Sequence, residues 1–418
     1  MKKRITAILL TAVMSLSVFT GCAAKVNADN LTDNISRDAI AVYNNFTNGE
    51  LEAVNEFTAN LLGQSFTDNK NTIISPLSVL YALAMTANGA DGETLKQMEE
   101  VLGIDINTLN SFLYSTVNLL PSDEGYTFDI ANSVWIKDDE SDLVVNESFL
   151  KTVKNYYDAG IFKEAFDGET LKNINNWVTQ KTNGQIQDVL DKIDPDAVMY
   201  LVNAINFEAD WQKVYEKYQV NDGTFTKADG TEQTVEFMHS DERTYIEDEN
   251  TTGFVKYYKS GKYAFVALLP DENTDIETYV DSLNGKKLTN LLENKQNKTV
   301  YAALPKFETT FDTEMSENLK ALGMTDAFDS AVADFSKMGT AQQEGENLCI
   351  NRVIHKAFIR VAEKGTQAGA ATVVEMVTEG AMLIEDPKEV TLDRPFVYMI
   401  IDCQNNLPLF TGVVCEIE

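Results

Sequence analysis

The stretch that decides the fold is EKGTQAGAATVVEMVTEGAMLI, residues 363–384, which lies between two segments that read as β-strands. Its residues are small or β-capable, and the first proline after it is Pro387. The whole connection, from Val361 to Arg394, is too long for an ordinary loop of a compact domain. Connections of this length are usually functional or disordered.

The side chains of this stretch alternate in the way that a strand requires. Taken from Thr366, every second position gives one face, which consists of Thr366, Ala368, Ala370, Thr372, Val374 and Met376. The other face consists of Gln367, Gly369, Ala371, Val373 and Glu375. The first face suits burial and the second suits exposure. The Gly/Ala content would make such a strand weak by itself, so the pattern fits a mobile loop equally well.

Outward from this stretch, strands and helices are mixed without the regular alternation of βαβ units. A short buried strand is predicted at Thr72–Pro76, and the helix predicted at Leu77–Asn88 is apolar on nearly every side, which is typical of an interior helix. A nearly continuous apolar strand is predicted at Met199–Phe207, and a hairpin at Gly223–Met238. No low-complexity linker divides this part of the chain. The sequence therefore predicts a single α+β domain over residues 50–418.

Composition argues against several classes of function. The 418 residues include 65 acidic and 34 basic side chains, and the formal net charge is −31. Nucleic acid and anionic lipid both attract proteins through Lys and Arg, so neither is an expected partner. The two histidines, His239 and His355, leave little material for a His-rich metal site, and we predict no metal and no cofactor. The sequence has no GxSxG, P-loop, GxGxxG or HExxH motif, which argues against an enzyme.

The N-terminus has the pattern of an export signal. Basic residues 2–4 precede a mostly apolar run, Ile5–Phe19, which is short for a membrane span. The run ends in Phe19-Thr-Gly-Cys22, which resembles the lipobox of bacterial lipoproteins, although Phe19 stands where Leu is usual. We predict a signal peptide over residues 1–22 with a lipid on Cys22, and a polar tether over residues 23–49. The alternative is an ordinary secretory signal with a chance cysteine.

Both alternatives export the protein, either to the cell surface on its lipid anchor or to the extracellular medium. The lipid would be its link to a membrane. Cleavage removes three basic residues and no acid, so 31 − 65 gives a mature charge of −34. The remaining cysteines, Cys349, Cys403 and Cys415, are predicted to be free buried thiols, with a Cys403–Cys415 bridge as the alternative.

Motifs along the chain resemble those of the serpins. Glu363-Lys-Gly-Thr366 followed by Ala368-Gly-Ala-Ala371 is similar to the serpin hinge, and residues 390–400 are similar to the family's signature after the reactive loop. Further matches occur in serpin order, and they are Asn71–Ser78, Ile174–Val178, Thr182–Gly184, Leu201–Ile205, Trp211, Leu322–Met324 and Leu407–Val413. The resemblance covers Leu51 to Glu418.

This resemblance implies both a fold and a mechanism. The expected serpin fold is α+β, with a large mixed central sheet, smaller sheets, about eight to nine helices and an exposed reactive-centre loop over residues 363–389. A target serine protease, or a cysteine protease, attacks the loop and forms an acyl-enzyme. The cleaved loop then inserts into the central sheet as a new strand and carries the protease to the far pole. The expected partner is therefore a protease, and the inhibitor is expected to be a monomer.

The resemblance also assigns roles to residues, none of them catalytic. The hinge, at which insertion begins, consists of Glu363, Gly365, Thr366, Ala368, Gly369, Ala370 and Ala371. The shutter, at which the central strands part, consists of Ser75, Ser78, Asn203 and His355, and Trp211 marks the breach at the top of the sheet. Thr366 is uncharged and no proline interrupts the inward face, so the stretch meets the requirements for insertion.

The scissile bond falls at Glu379–Gly380 when the family's spacing from the hinge glycine is applied. The chain from there to Pro395 is longer than in many serpins, so Ala381–Met382 and Met382–Leu383 are alternatives. Glu379 suits a glutamyl-specific protease, Ala381 an elastase-like enzyme, and Met382 an elastase-like or chymotrypsin-like one. The sequence leaves these alternatives open.

Two other functions are alternatives to inhibition. A serpin that binds or stabilises other proteins without inhibiting is expected to carry charge or proline on the inward face of its hinge, and this chain carries neither there. A solute-binding lipoprotein would account for the N-terminus. The Ala/Gly-rich hinge and the serpin motifs argue against it.

Overall fold

The structure is a computed structural model that describes residues 26–120, 126–138, 143–182, 184, 189–194, 197–340, 348–366 and 387–417. The helices within these ranges are α1 (Asn48–Ser65), α2 (Pro76–Ala87), α3 (Gly92–Leu102), α4 (Ile106–Leu119), α5 (Glu147–Tyr156), α6 (Gly168–Lys181), α7 (Ile276–Ser282), α8 (Gly285–Glu293) and α9 (Ser316–Ala321). The strands are β1 (Thr72–Ile74), β2 (Tyr126–Lys137), β3 (Val144–Val145), β4 (Gly160–Glu164), β5 (Met199–Asp210), β6 (Val220–Thr226), β7 (Glu232–Glu247), β8 (Thr251–Tyr257), β9 (Tyr263–Pro270), β10 (Gln296–Pro305), β11 (Phe307–Glu314), β12 (Gly339–Thr340), β13 (Arg352–Val361), β14 (Gly365–Thr366), β15 (Lys388–Thr391), β16 (Phe396–Asp402) and β17 (Leu407–Val414).

A six-stranded mixed sheet, which we call the central sheet, has the strand order β11-β13-β14-β5-β2-β4. β5 runs parallel to β13, and β2 runs parallel to β4, whereas the pairs β2–β5 and β11–β13 are antiparallel. β5 reads as an apolar run because both of its faces are covered, and Met199–Val202 are fully buried.

A second sheet has nine strands, in the order β1-β17-β16-β9-β8-β7-β10-β15, with β6 also paired to β7. Every residue of β9, β16 and β17 is buried. β15 lies at the end of this sheet, parallel to β10, and it begins four residues after Ile384. Buried apolar side chains from Val54 to Ile417 form one continuous cluster between the elements.

The predicted interior helix is confirmed by α2. The Ser75 side chain accepts a hydrogen bond from the Ser78 backbone N–H and so caps the helix, and Pro76 occupies the first turn, where no N–H is needed. All twelve residues of α2 are buried, because the helix contacts β2, β5 and β17 as well as α3 and α4. An all-apolar helix is stable only in such surroundings.

The segment that precedes α1 is bound to the edge of the central sheet. The Leu31 N–H donates to the carbonyl of Ile161 on β4 at 2.8 Å. The Asn30 side-chain oxygen accepts from the Ile161 N–H at 3.1 Å. Thr32 is fully buried, and its hydroxyl donates to the carbonyl of Ala159 at 3.1 Å. These bonds satisfy backbone groups on the outer side of an edge strand.

The same segment also contributes apolar contacts. Val26 and Ala28 pack against the apolar cluster that α6 forms with the central sheet. The Phe46 ring lies 4.6 Å, between centroids, from that of Phe112 on α4. The prediction of a tether over residues 23–49 is therefore wrong for its described part. Its polar residues suggested a solvated linker, but several of them make hydrogen bonds to the body of the protein.

The predicted fold class is confirmed. The described residues form an α+β structure with a large mixed central sheet, smaller sheets and nine helices. Cys403 and Cys415 are free thiols, so the alternative Cys403–Cys415 bridge is not formed. No helix in the described ranges combines the length and apolar character that crossing a bilayer requires.

Candidate functional site

The central sheet is split at one end, between β5 and β13. In the other half of their length these strands pair directly, residues 352–356 against residues 200–204. In the split half, β14 lies between them, and Thr366 pairs with Val361 on one side and with Ala209 on the other. The first residues of the predicted insertion strand therefore already lie between the two strands.

Gly365 lies close to β5 because it has no side chain. A Cβ atom at this position would lie 2.0 Å from the carbonyl oxygen of Ala209. Any other residue would therefore push β14 away from β5. The hinge glycine is required by this close approach of two backbones.

The Thr366 side chain points into the interior, where it is 1% exposed. Its hydroxyl lies 2.5 Å from that of Tyr258, and the Tyr258 ring stacks on Trp211 with centroids 4.5 Å apart and planes 9° apart. The Trp211 backbone N–H donates to the carbonyl of Lys364 at 2.7 Å, and its indole N–H donates to the carbonyl of Ala362 at 2.8 Å. Trp211 therefore holds both the backbone before Thr366 and the ring that contacts its side chain.

Two lysines form ion pairs around this breach. Lys306 binds Glu236 at 2.8 Å and Glu363 of the hinge at 3.0 Å. Lys256, which is 2% exposed on its side chain, binds Glu242 at 2.8 Å. Burial lowers the pKa of Lys256, although Glu242 acts in the opposite direction. Removing one member of such a buried pair would leave an uncompensated charge.

The predicted shutter residues lie together where β5 and β13 pair directly. Asn203 and His355 are opposite each other in that pairing. The Asn203 amide donates to the carbonyl of Ser78 at 2.8 Å, and its oxygen accepts from the Ser78 hydroxyl. His355 Nε2 accepts from the Ser75 backbone N–H at 3.2 Å, and the Ser75 hydroxyl donates to the carbonyl of Leu409 at 2.7 Å. The network ties both strands to the start of α2.

His355 is neutral at physiological pH. The side chain is completely buried, and burial lowers its pKa to about 4. Because Nε2 accepts a hydrogen bond, the ring proton is on Nδ1. Nδ1 is buried and has no hydrogen-bond partner within the described part of the chain. The shutter therefore contains one donor that its present partners leave unsatisfied.

Sequence reasoning missed several residues of this site. The Asn132 side-chain oxygen on β2 accepts from Asn203 at 2.5 Å. The sequence does contain a signal for Asn132, because this polar residue shares one face of its strand with the apolar residues Val134 and Ile136. Tyr258 and Lys306 gave no comparable signal, since each reaches the hinge from a distant part of the chain.

The structure brings together Glu363, Gly365, Thr366 and Trp211 at the breach, and the four shutter residues below it. The other predicted site residues lie outside the described residues, and they are Cys22, Ala368, Gly369, Ala370, Ala371, Glu379, Gly380, Ala381, Met382 and Leu383. Within the described ranges, no group of three or more His, Cys, Asp or Glu residues is arranged to hold a metal ion.

This architecture, with a central sheet that is split at one end around the start of a long connection, is that of the serpin fold. The family model "Serpin (serine protease inhibitor)" matches residues 52–417. An uncharacterized serpin-like protein of Thermococcus kodakarensis is 33% identical over 372 residues, which are 87% of this chain and 84% of that protein. The chain belongs to the serpin family.

Solved structures agree with this assignment. Tengpin, a thermophilic serpin in its native state, has 46% sequence identity and a TM-score of 0.87, over 93% of this chain and 100% of that one. Thyroxine-binding globulin in complex with thyroxine has 25% identity and a TM-score of 0.75, over 88% of this chain and 98% of that one. Serpins are in general protease inhibitors and not enzymes.

Acid is expected to weaken the shutter through His355. The folded-state pKa of about 4 lies below the unfolded value of about 6.5, so the unfolded state takes up the proton first as the pH falls. Stability is therefore full above pH 6.5 and is lost between there and pH 4. The loss amounts to about 2 kcal/mol between pH 7 and 5.

Urea unfolding of the intact protein at several pH values between 7 and 5 measures this loss. His355→Gln is the control, because it keeps a polar side chain that does not titrate. The variant should have the lower stability at pH 7 and a flatter pH profile. Profiles of equal slope would contradict a role for His355 in the acid sensitivity.

Proposed function

We propose that this chain inhibits serine endopeptidases as a suicide substrate, with residues 363–389 as the loop that the protease attacks. The observation that carries the proposal is β14. Gly365 and Thr366 already pair with β13 and β5 as the first two residues of a new strand would. Below them, β5 and β13 pair only with each other across their shared edge, and this is the place that the rest of the strand would take.

The register of β14 predicts where each loop residue would go. If the antiparallel pairing of β14 with β5 and β13 continued beyond Thr366, Thr372 would lie opposite Asn203 and His355. Met376 would lie opposite Met199, the first residue of β5. The threonine hydroxyl would then arrive beside the unsatisfied Nδ1 of His355. The residues from Gly365 to Met376, with a rise of ~3.3 Å each, would form a strand of ~40 Å. Burying an apolar side chain such as Met376 contributes roughly 1.5–3 kcal/mol.

The chemistry begins as ordinary proteolysis. The serine hydroxyl of the protease attacks the carbonyl carbon of the scissile residue, the bond to the next nitrogen breaks, and that nitrogen takes a proton and leaves as an amine. The loop remains joined to the protease serine by an ester. Water normally hydrolyses this ester. Insertion of the loop moves the protease to the far pole before hydrolysis and distorts its active site, so the ester persists.

The scissile bond remains a prediction, with Glu379–Gly380 first and Ala381–Met382 and Met382–Leu383 as alternatives. The matching targets are glutamyl-specific, elastase-like and chymotrypsin-like proteases. We expect mass spectrometry of the fragment released with the complex to begin at Gly380. A fragment that begins at Met382 or Leu383 would replace this assignment with one of the alternatives.

A binding function is the second candidate, because thyroxine-binding globulin shares the fold. The hinge supports inhibition instead, since Thr366 is uncharged and fits its buried place beside Tyr258. The two functions are separated by incubation with glutamyl, elastase-like and chymotrypsin-like proteases. A covalent complex that survives SDS is expected. Recovery of cleaved protein with fully active protease in every case would overturn the proposed inhibition.

Export is also part of the proposal, with the protein acting outside the cell as a monomer, either free or on a lipid attached to Cys22. We expect the mature protein to begin at Cys22 and to carry the mass of the lipid. Mass spectrometry of the N-terminal peptide measures both properties. An N-terminus elsewhere, or an unmodified cysteine, would contradict the lipid anchor and leave the inhibition test unaffected.

Thr366→Arg is expected to convert the inhibitor into a substrate. Thr366 is already buried at 1% exposure, so an arginine there would displace β14 from the sheet, and its charge would have to be buried again for the loop to insert. The stoichiometry of inhibition should rise about tenfold or more, because the ester is hydrolysed before the loop can insert. Densitometry of SDS gels gives the ratio of complex to cleaved protein.

Gln367→Arg is the matched control. The alternation of the strand places residue 367 on the outward face, so the same side chain there should be tolerated. An equal loss of inhibition by the two variants would contradict insertion in the register of β14.

A further inference from the structure

The surface beside the breach contains a hollow of 840 Å³, which we call the loop-root hollow. Its lining residues come from the segment 213–221 after β5, from 239–241 on β7, from 301–303 on β10, and from Glu389 and Thr391 on β15. The hollow is open to solvent, and neither the hinge nor the shutter uses it.

Exposed apolar side chains collect at this hollow. The described residues include seven large hydrophobic residues that are exposed, and three of them line it. They are Val214 at 44% exposure, Tyr218 at 80% and Tyr301 at 42%. Exposed tyrosines cost little side-chain entropy on binding and are common among the residues that dominate protein interfaces. Their concentration in one concave place indicates an interaction surface.

Both ends of the reactive loop border the hollow. The backbone N–H of Tyr215, in its wall, donates to the carbonyl of Glu363 at the start of the loop. Glu389, at the end of the loop, pairs with Tyr301 between β15 and β10. A protein that bound the loop between these two ends would therefore come close to the hollow. A protease of about 220 residues has a radius of gyration of about 17 Å, which is enough to reach it.

The charges around the hollow describe the partner further. Glu216, Asp241 and Glu389 line it together with a single lysine, Lys213. The whole chain has a net charge of −31. The surface is therefore complementary to apolar side chains surrounded by Lys or Arg. Residues of this kind on the rim of a protease active site would meet the hollow when the loop occupies the cleft.

We propose that the loop-root hollow is a second docking site for the target serine protease, one that selects enzymes with a basic and apolar rim. The inference rests on the proposed inhibitory function. The reactive loop determines which bond is cleaved, and the hollow determines the association rate constant with the matching protease. Contacts outside the active-site cleft act before acylation, so they change the association rate constant. They do not change the later ratio of trapped complex to released, cleaved protein.

Kinetics with chymotrypsin, pancreatic elastase and a glutamyl endopeptidase test this proposal. Tyr218→Ala and Tyr301→Ala are expected to lower the second-order association rate constant about tenfold for the fastest of the three enzymes. The stoichiometry of inhibition and the yield of SDS-stable complex should not change. Added salt should slow the native protein more than Glu216→Gln, because the variant lacks one of the attracting charges.

A matched pair of valines provides the control. Val214→Ala removes the same two methyl groups as Val332→Ala, at similar exposure, but Val332 lies outside the hollow. Only the first variant should slow association. Rate constants within twofold of the native protein for every variant and enzyme, with complexes still formed, would overturn the docking site alone. The absence of any complex with the native protein would overturn the inhibitory function, and the docking site with it.

Discussion

The direct pairing of β5 with β13 is the constraint on which the rest of the structure depends. Five residue pairs close the sheet below β14, and the same strands carry Asn203 and His355, which are tied to α2. Under the proposed insertion, a strand that entered here would break one ladder and make two, so the final state would gain hydrogen bonds and buried surface. The cost would fall at the start, in the shutter, whereas the gain would accumulate along the whole strand. This separation allows a protein to remain in the less stable of two arrangements.

The parts of this site that could be predicted are those that follow local rules. The interior helix at Leu77–Asn88 can be predicted from its apolar residues, and Thr366 as the first member of an alternating face, because both patterns are complete within a few residues. Tyr258 and Lys306 could not be found in this way, since their contacts with the hinge span long stretches of chain. The segment before α1 was misread for a related reason. Asn30 and Thr32 are polar, as linker residues usually are. In the fold, however, Asn30 accepts a hydrogen bond from the backbone of β4, and Thr32 donates one to the carbonyl of Ala159 just before β4.

At the split in the central sheet, the location of the charged groups matters more than the net charge. The net charge of −31 gives no account of the split sheet. Two ion pairs lie next to the split, Lys306 with Glu363 and Lys256 with Glu242, and the imidazole of His355 in the shutter is kept neutral by burial. Lys256 and Glu242 are the buried pair, and either one would be costly to leave without its partner. This pair therefore favours a single arrangement of the strands around it.

Together with the proposed lipid on Cys22, the binding of the N-terminal segment to β4 would also orient the molecule. Val26 and Asn27 are held at α6, where the Asn27 N–H donates to the Asn173 side chain at 3.1 Å. With a lipid on Cys22, the chain from that residue to Val26 spans at most about 14 Å. The α6 side of the protein would then face the bilayer at close range, and the protein would have one preferred orientation on the membrane. This orientation would set the height of the reactive loop above the lipid surface. That height would in turn decide which proteases can reach the loop.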